Sequence, residues 1–245
     1  MQVDLVRRGL GIAVVAQGCA LAVPAATGAA GPAAIAAGAV FGLVCDVLLV
    51  RALRRGATPQ VGIANGITWA RCALVGAVVA LVAAAAHGLG TVELVVIAAV
   101  ALVLDGVDGR VARATRTVSA LGSRFDMEVD AALVLALSVA AVPRVGPWVL
   151  LVGAARYLLL LATLQVPRLG APTPPKLWRK VVAAVQGVVL TVLCAEVLDP
   201  PIGEGIAVVA ALALAWSFGT QVRSLLGVRA HPRPAVPEPV DARLG

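Results

Sequence analysis

The sequence predicts an all-α, polytopic membrane protein, with a six-helix core preceded by two additional N-terminal transmembrane helices. Three observations carry this. Of the 245 residues 60% are hydrophobic and only 13% charged, and the mean hydropathy of +0.97 is beyond what a water-soluble domain shows. The apolar residues gather in stretches of about 20, the length at which a helix crosses the hydrocarbon core. The basic residues collect at the ends of alternate stretches, as they do in membrane proteins of fixed orientation.

The first apolar segment, residues 9–26, follows Arg7 and Arg8. It runs into PAATGAAGPA, which resembles a signal-peptide cleavage region; we read it as a retained helix. The second, about 32–50, contains Asp46 and ends in RALRR, with Arg51, Arg54 and Arg55. A connection bearing Gly and Pro, 56–62, then separates these two helices (1–56) from the core (57–226). Six further segments make up that core: about 63–86, 91–113, 118–142, 147–165, 178–197 and 203–226. The tail, 227–245, carries Pro232, Pro234, Pro237 and Pro239 and is expected to be a disordered cytoplasmic segment.

Threading the eight segments through a bilayer puts Arg7/Arg8, Arg51–Arg55, Arg110–Arg116, Arg168–Lys180 and Arg223–Arg233 on one side. The opposite loops hold Glu93, Asp199 and Glu204, with Arg144 as their one basic residue. The positive-inside rule therefore predicts a multi-pass protein of the cell (plasma) membrane with both termini cytoplasmic. A net charge of +7 and 3% aromatic residues, with no basic stripe, argue against nucleic-acid binding and for attraction to anionic lipid and phosphate. Cys19, Cys45, Cys72 and Cys194 lie scattered without metal or disulfide spacing and read as reduced, buried small hydrophobes. His87 and His231 stand alone.

The chemistry is concentrated in DGVDGRVARATRTVSALGSRFDMEVD, Asp105 to Asp130. Carboxylates at the edge of apolar helices are costly and mark function. Asp105 and Asp108 lie at i, i+3, and Asp126 and Asp130 at i, i+4, so each pair shares a helix face. Gly109, Ala112 and Gly122 leave room beside them for a ligand or a second helix. Four hard oxygen donors converging from two helices describe a site for one or two Mg²⁺-like ions, on the cytoplasmic side. A lipid substrate would keep its acyl chains in the bilayer while its polar head meets that site. The spacing does not divide metal ligand from general base among the four.

The pattern D-x2-D-G-x2-A-R-x8-G-x3-D-x3-D, filled by Asp105, Asp108, Gly109, Ala112, Arg113, Gly122, Asp126 and Asp130, is the signature of the CDP-alcohol phosphotransferases. The chain resembles this family of integral-membrane phospholipid synthases over about residues 60–226. The resemblance implies Asp105, Asp108 and Asp126 as ligands of Mg²⁺ or Mn²⁺, in two sites, and Asp130 as general base with a share in metal binding. Asp126 and Asp130 then form the catalytic pair. It assigns Gly109, Ala112 and Arg113 to the nucleotide, with Arg113 on the phosphates and Asp108 and Gly122 beside them. It also implies a homodimer.

Upstream, NGITWAR sets Asn65, Thr68 and Arg71 at three-residue spacing on one helix face, an amide, a hydroxyl and a guanidinium suited to cytidine diphosphate. Many family members show a similar N-x2-T-x2-R, often with Pro before the Asn, where this chain has Ala64. Glu128 reads as structural or solvated, and Arg124 as interfacial. Arg156, in mid-segment, needs an anion, either a bound phosphate or an ion pair with an aspartate such as Asp46. Lys176, Arg179 and Lys180, flanking Trp178, either anchor a helix at the interface or hold the phosphate of a phosphorylated acceptor. The resemblance tilts this towards the acceptor.

The resulting expectation is a divalent-metal-dependent CDP-alcohol phosphatidyltransferase. It would transfer the phosphatidyl group of CDP-diacylglycerol to a small alcohol such as glycerol 3-phosphate and release CMP. An inositol phosphate is the next acceptor, and transfer of a CDP-activated headgroup to a lipid alcohol uses the same motif. A transporter would spread its charges through the membrane depth, whereas these cluster at one face. A catalytically dead homologue would have lost motif positions, and none is lost.

Overall fold

The computed structural model describes residues 2–55, 63–84, 91–114, 120–170 and 177–227. Among the described residues are eight α-helices and no strand: α1 (Gln2–Ala26), α2 (Pro32–Arg55), α3 (Ile63–Ala84), α4 (Thr91–Ala114), α5 (Ala120–Val145), α6 (Leu150–Gln165), α7 (Leu177–Cys194) and α8 (Pro200–Gly227). The connection expected at 56–62 and the tail from 228 onward lie outside the described residues. Helix ends overrun the apolar stretches, because polar residues at a membrane surface can continue a helix that the hydrophobic pattern has left. So α1 takes in Arg7 and Arg8, and α8 starts at Pro200, where a proline without an N–H costs nothing in the first turn.

Among the described residues three stretches are long and apolar enough to cross a membrane by length and composition: Ile67–Ala84 in α3, Pro147–Gln165 through α6, and Pro200–Leu226 in α8. They occupy different places. Inside the protein 61% of the first is buried, against 17% of the second and 22% of the third. α3 is therefore the central helix, packed against α1, α2, α4 and α5. Its Trp69, Cys72, Val75, Val78 and Leu81 point into the core from different faces. α6 and α8 are peripheral and turn Leu151, Leu164, Val209, Leu212 and Trp216 outward. Lipid accepts such a surface and water does not.

Lipid tails are as apolar as leucine, so close backbone packing, not solvent exclusion, has to hold such a bundle together. The sequence supplies this with small residues at the crossings. A β-carbon at Gly38 on α2 would collide with the main-chain oxygen of Gly76 on α3, and Gln17 on α1 fills the space beside Gly42 and Gly76. The Gln17 Nε2 donates to the Gly38 carbonyl at 3.1 Å. The two N-terminal helices are thus seated on α3 through polar and glycine contacts. On the other side, a β-carbon at Gly153 of α6 would stand 2.7 Å from both the Leu135 Cα and the Ser138 Oγ of α5.

Away from α3, three contacts fix the remaining elements. Gly146, at φ 90°, makes the sharp turn from α5 into the short 3-10 turn that opens α6. Arg144 Nη2 donates to the Leu198 carbonyl in the loop before α8, and the Gln186 Nε2 donates to the Ala210 carbonyl at 2.8 Å, joining α7 to α8. All four cysteines are free; Cys45, Cys72 and Cys194 are buried as expected, whereas Cys19 is exposed on α1.

Gly153→Val should overpack the α5–α6 crossing and cost about 1–3 kcal/mol. Gly205→Ala, where a β-carbon meets nothing within 4 Å, should cost nothing. Thermal unfolding of both variants in detergent micelles checks the pair; equal melting temperatures would contradict the crossing.

Candidate active site

The site is built where α4 ends and α5 begins, against the flank of α3. Asp105 lies in the last turns of α4, Asp126 and Asp130 in the first turns of α5, and Arg71 two turns into α3. The i, i+4 spacing turns both α5 carboxylates towards α3, and there the Arg71 guanidinium meets all three aspartates. Its Nη1 donates to the Asp105 Oδ1 at 2.7 Å and to the Asp126 Oδ1. Its Nη2 donates to the Asp130 Oδ1 and to the Asp126 main-chain carbonyl at 3.3 Å.

Burial is graded across this cluster. The Arg71 side chain is 1% exposed, whereas those of Asp105, Asp126 and Asp130 are 34%, 35% and 42% exposed. The guanidinium forms a floor and the carboxylates an open rim. One oxygen from each carboxylate lies within 4.8 Å of the others. Charge-assisted contacts of this kind are the strong ones among hydrogen bonds, and the planar fork of arginine suits several carboxylates at once. Three hard oxygen donors at that separation are a chemically fitting set for Mg²⁺ or Mn²⁺.

The structure brings together three of the four signature aspartates. Asp108 stands one turn beyond Asp105 on α4, and its side chain lies outside the described residues, as do those of Asn65, Gly109, Ala112, Arg113 and Gly122. Thr68 is half-buried one turn before Arg71 on α3. Lys176 lies outside the described residues altogether. On α7, Lys180 is exposed. Arg179 lies over the Trp178 ring, 5.7 Å from its centroid.

Arg156 requires a correction. Its alternative partner from the sequence, Asp46, stays buried on α2. Arg156 instead pairs with Glu128, on the opposite face of α5 from the aspartates, and its Nη1 lies 4.0 Å from the Met127 sulfur. Glu128 is therefore an ion-pair partner, which fits the structural one of its two readings. At 35% exposed, Arg156 is half-buried. What sequence reasoning missed most is the position of Arg71 within the aspartate cluster, 34 to 59 residues away along the chain from its partners. No local pattern signals that contact.

A family model described as CDP-alcohol phosphatidyltransferase matches residues 61–220. No curated protein and no solved structure matches the chain. The match begins just before α3 and ends within α8, so it takes in every element that carries the cluster. Members of this family move a phosphatidyl or related group from a CDP-alcohol to an alcohol acceptor within a membrane, generally with a divalent metal. With well over half its length matched, the chain belongs to the CDP-alcohol phosphatidyltransferase family.

Proposed function

We propose that this enzyme transfers the phosphatidyl group of CDP-diacylglycerol to a small phosphorylated alcohol, glycerol 3-phosphate first, and releases CMP for phospholipid synthesis. The observation that carries the reading is the convergence of Asp105, Asp126 and Asp130 at the α4–α5 junction, inside the stretch matched to the family. In the proposed arrangement all eight helices span the plasma membrane as two plus six, with both termini and the site cytoplasmic. The basic ends of alternate helices support it. A homodimer is proposed on the family resemblance alone.

Asp105, Asp108, Asp126 and Asp130 would hold Mg²⁺ or Mn²⁺, in two sites. When bound, the ions neutralise the pyrophosphate oxygens and stabilise the leaving phosphate. The residues of the chain do the rest. Asn65 and Thr68 on α3, with Asp108, Gly109, Ala112, Arg113 and Gly122 around the α4–α5 junction, form the cytidine diphosphate side. Asp130, with the most exposed of the three described carboxylates, takes the proton of the acceptor hydroxyl as its oxygen attacks the lipid-linked phosphorus. A new P–O bond forms, the bond from that phosphorus to the bridging oxygen breaks, and CMP departs with the electron pair. Lys176, Arg179 and Lys180, and Arg156 from α6 on release from Glu128, supply cations for an acceptor phosphate.

CMP release by the protein in lipid nanodiscs tests the reaction. The donor is CDP-diacylglycerol, and glycerol 3-phosphate, inositol phosphate, inositol and serine are offered in turn. Release should require Mg²⁺, stop with EDTA, be fastest with glycerol 3-phosphate, and fall at least about 10²-fold in Asp130→Asn and Asp126→Asn. Release that survives EDTA or Asp130→Asn would refute the mechanism. Release only from CDP-linked headgroups and lipid alcohols would reverse donor and acceptor.

Arg156→Gln should raise the KM for the phosphorylated acceptor by about 10–100-fold, the worth of one charge-assisted hydrogen bond. The KM for CDP-diacylglycerol should not move. Equal changes in both constants would remove Arg156 from the acceptor subsite and leave it as the partner of Glu128.

A further inference from the structure

We propose that Arg71 is the resident cation of the metal-free cluster: its guanidinium supplies from within the protein part of the positive charge that a divalent ion supplies when bound. Arg71 and the metal therefore oppose one another. This inference rests on the reading of Asp105, Asp126 and Asp130 as a metal site.

Three carboxylates with oxygens within 4.8 Å of one another repel. Some cation must hold them together before an ion arrives. Arg71 does so with both ends of its fork, reaching Asp105, Asp126 and Asp130 at once. Arginine is the side chain fitted to this, because it stays charged at any physiological pH and its donors lie in one plane. The three carboxylates and the guanidinium together carry a net charge of −2, which a single divalent ion would neutralise.

Placement decides how the two cations share the cluster. The guanidinium is 1% exposed and lies beneath carboxylates that are each about a third or more exposed. An ion arrives from the open rim, so Arg71 need not leave. It loses carboxylate density to the ion and repels it, which weakens the ion's binding and keeps it exchangeable. The spacing of NGITWAR placed Arg71 with the nucleotide ligands; its burial assigns it to the cluster instead, as a positioning residue that acts through the aspartates.

Mn²⁺ is the probe, with free Mn²⁺ followed by electron paramagnetic resonance and melting temperature followed in parallel, on full-length protein in nanodiscs. Arg71→Gln should bind Mn²⁺ at least about tenfold tighter than wild type, since a unit charge in contact with the ligand oxygens is removed. Its melting temperature should drop in EDTA and recover with Mn²⁺, so that the metal-induced rise exceeds that of wild type. Weaker or equal Mn²⁺ binding, or a melting deficit the same with and without Mn²⁺, would overturn the proposal and leave the metal site standing. Absence of Mn²⁺ binding in both proteins would overturn the metal reading along with it.

Should Arg71→Gln not fold even with Mn²⁺, Arg71→Lys decides. Its ammonium keeps the charge without the fork and spans fewer carboxylates, so Mn²⁺ binding should be tighter than in wild type. Binding equal to or weaker than wild type would overturn the proposal.

Discussion

A guanidinium that is 1% exposed inside an apolar helix bundle is stable only with anions against it, and the placement of Arg71 constrains everything around it. Desolvating such a charge costs several kcal/mol unless its hydrogen bonds are met. Here both ends of its fork are met by aspartates from two other helices, α4 and α5. The same contacts that satisfy Arg71 therefore fix where α4 ends relative to where α5 begins, and both against α3. Removing the aspartates leaves a buried unpaired charge, a far greater loss than any exposed ion pair incurs. The Arg156–Glu128 pair, with both side chains more than a third exposed, illustrates the weaker class.

The surrounding architecture makes that arrangement possible. α3 is enclosed by α1, α2, α4 and α5, and its enclosure excludes water from the floor of the site. Close approach of α2 to α3 depends on Gly38 and Gly76, so the two N-terminal helices contribute to the burial of α3 although the family match begins after them, at residue 61. Towards the outside, α6 and α8 present leucine, valine and tryptophan to lipid. The graded exposure from Arg71 to Asp130 leaves the carboxylates open while the core stays closed.

Much of this was legible in the sequence. Each of the eight apolar stretches falls on a helix because twenty apolar residues in a row leave few alternatives, and their ends are misplaced by only a few residues, where polarity and helicity part company. The aspartate register was legible for the same reason: i, i+3 and i, i+4 spacings are local. What was not legible was the contact between elements. Nothing within NGITWAR tells that Arg71 turns towards carboxylates from 34 to 59 positions later, since its spacing with Asn65 and Thr68 fits a ligand-facing row equally well. The need of Arg156 for an anion is legible in its mid-segment position, but its pairing with Glu128 is a contact between elements, made on the face of α5 that points away from the aspartates.

The central claim is that Asp105, Asp126 and Asp130, set over Arg71, form the metal centre of a CDP-alcohol phosphatidyltransferase. Anomalous diffraction at the manganese edge, from crystals grown in a lipid phase with Mn²⁺ and a cytidine diphosphate ligand, tests it most directly. The account predicts anomalous density at the open rim of the cluster, in contact with those three carboxylates, with Arg71 still beneath them. Density elsewhere in the bundle, or a nucleotide bound with no metal at that rim, would contradict it.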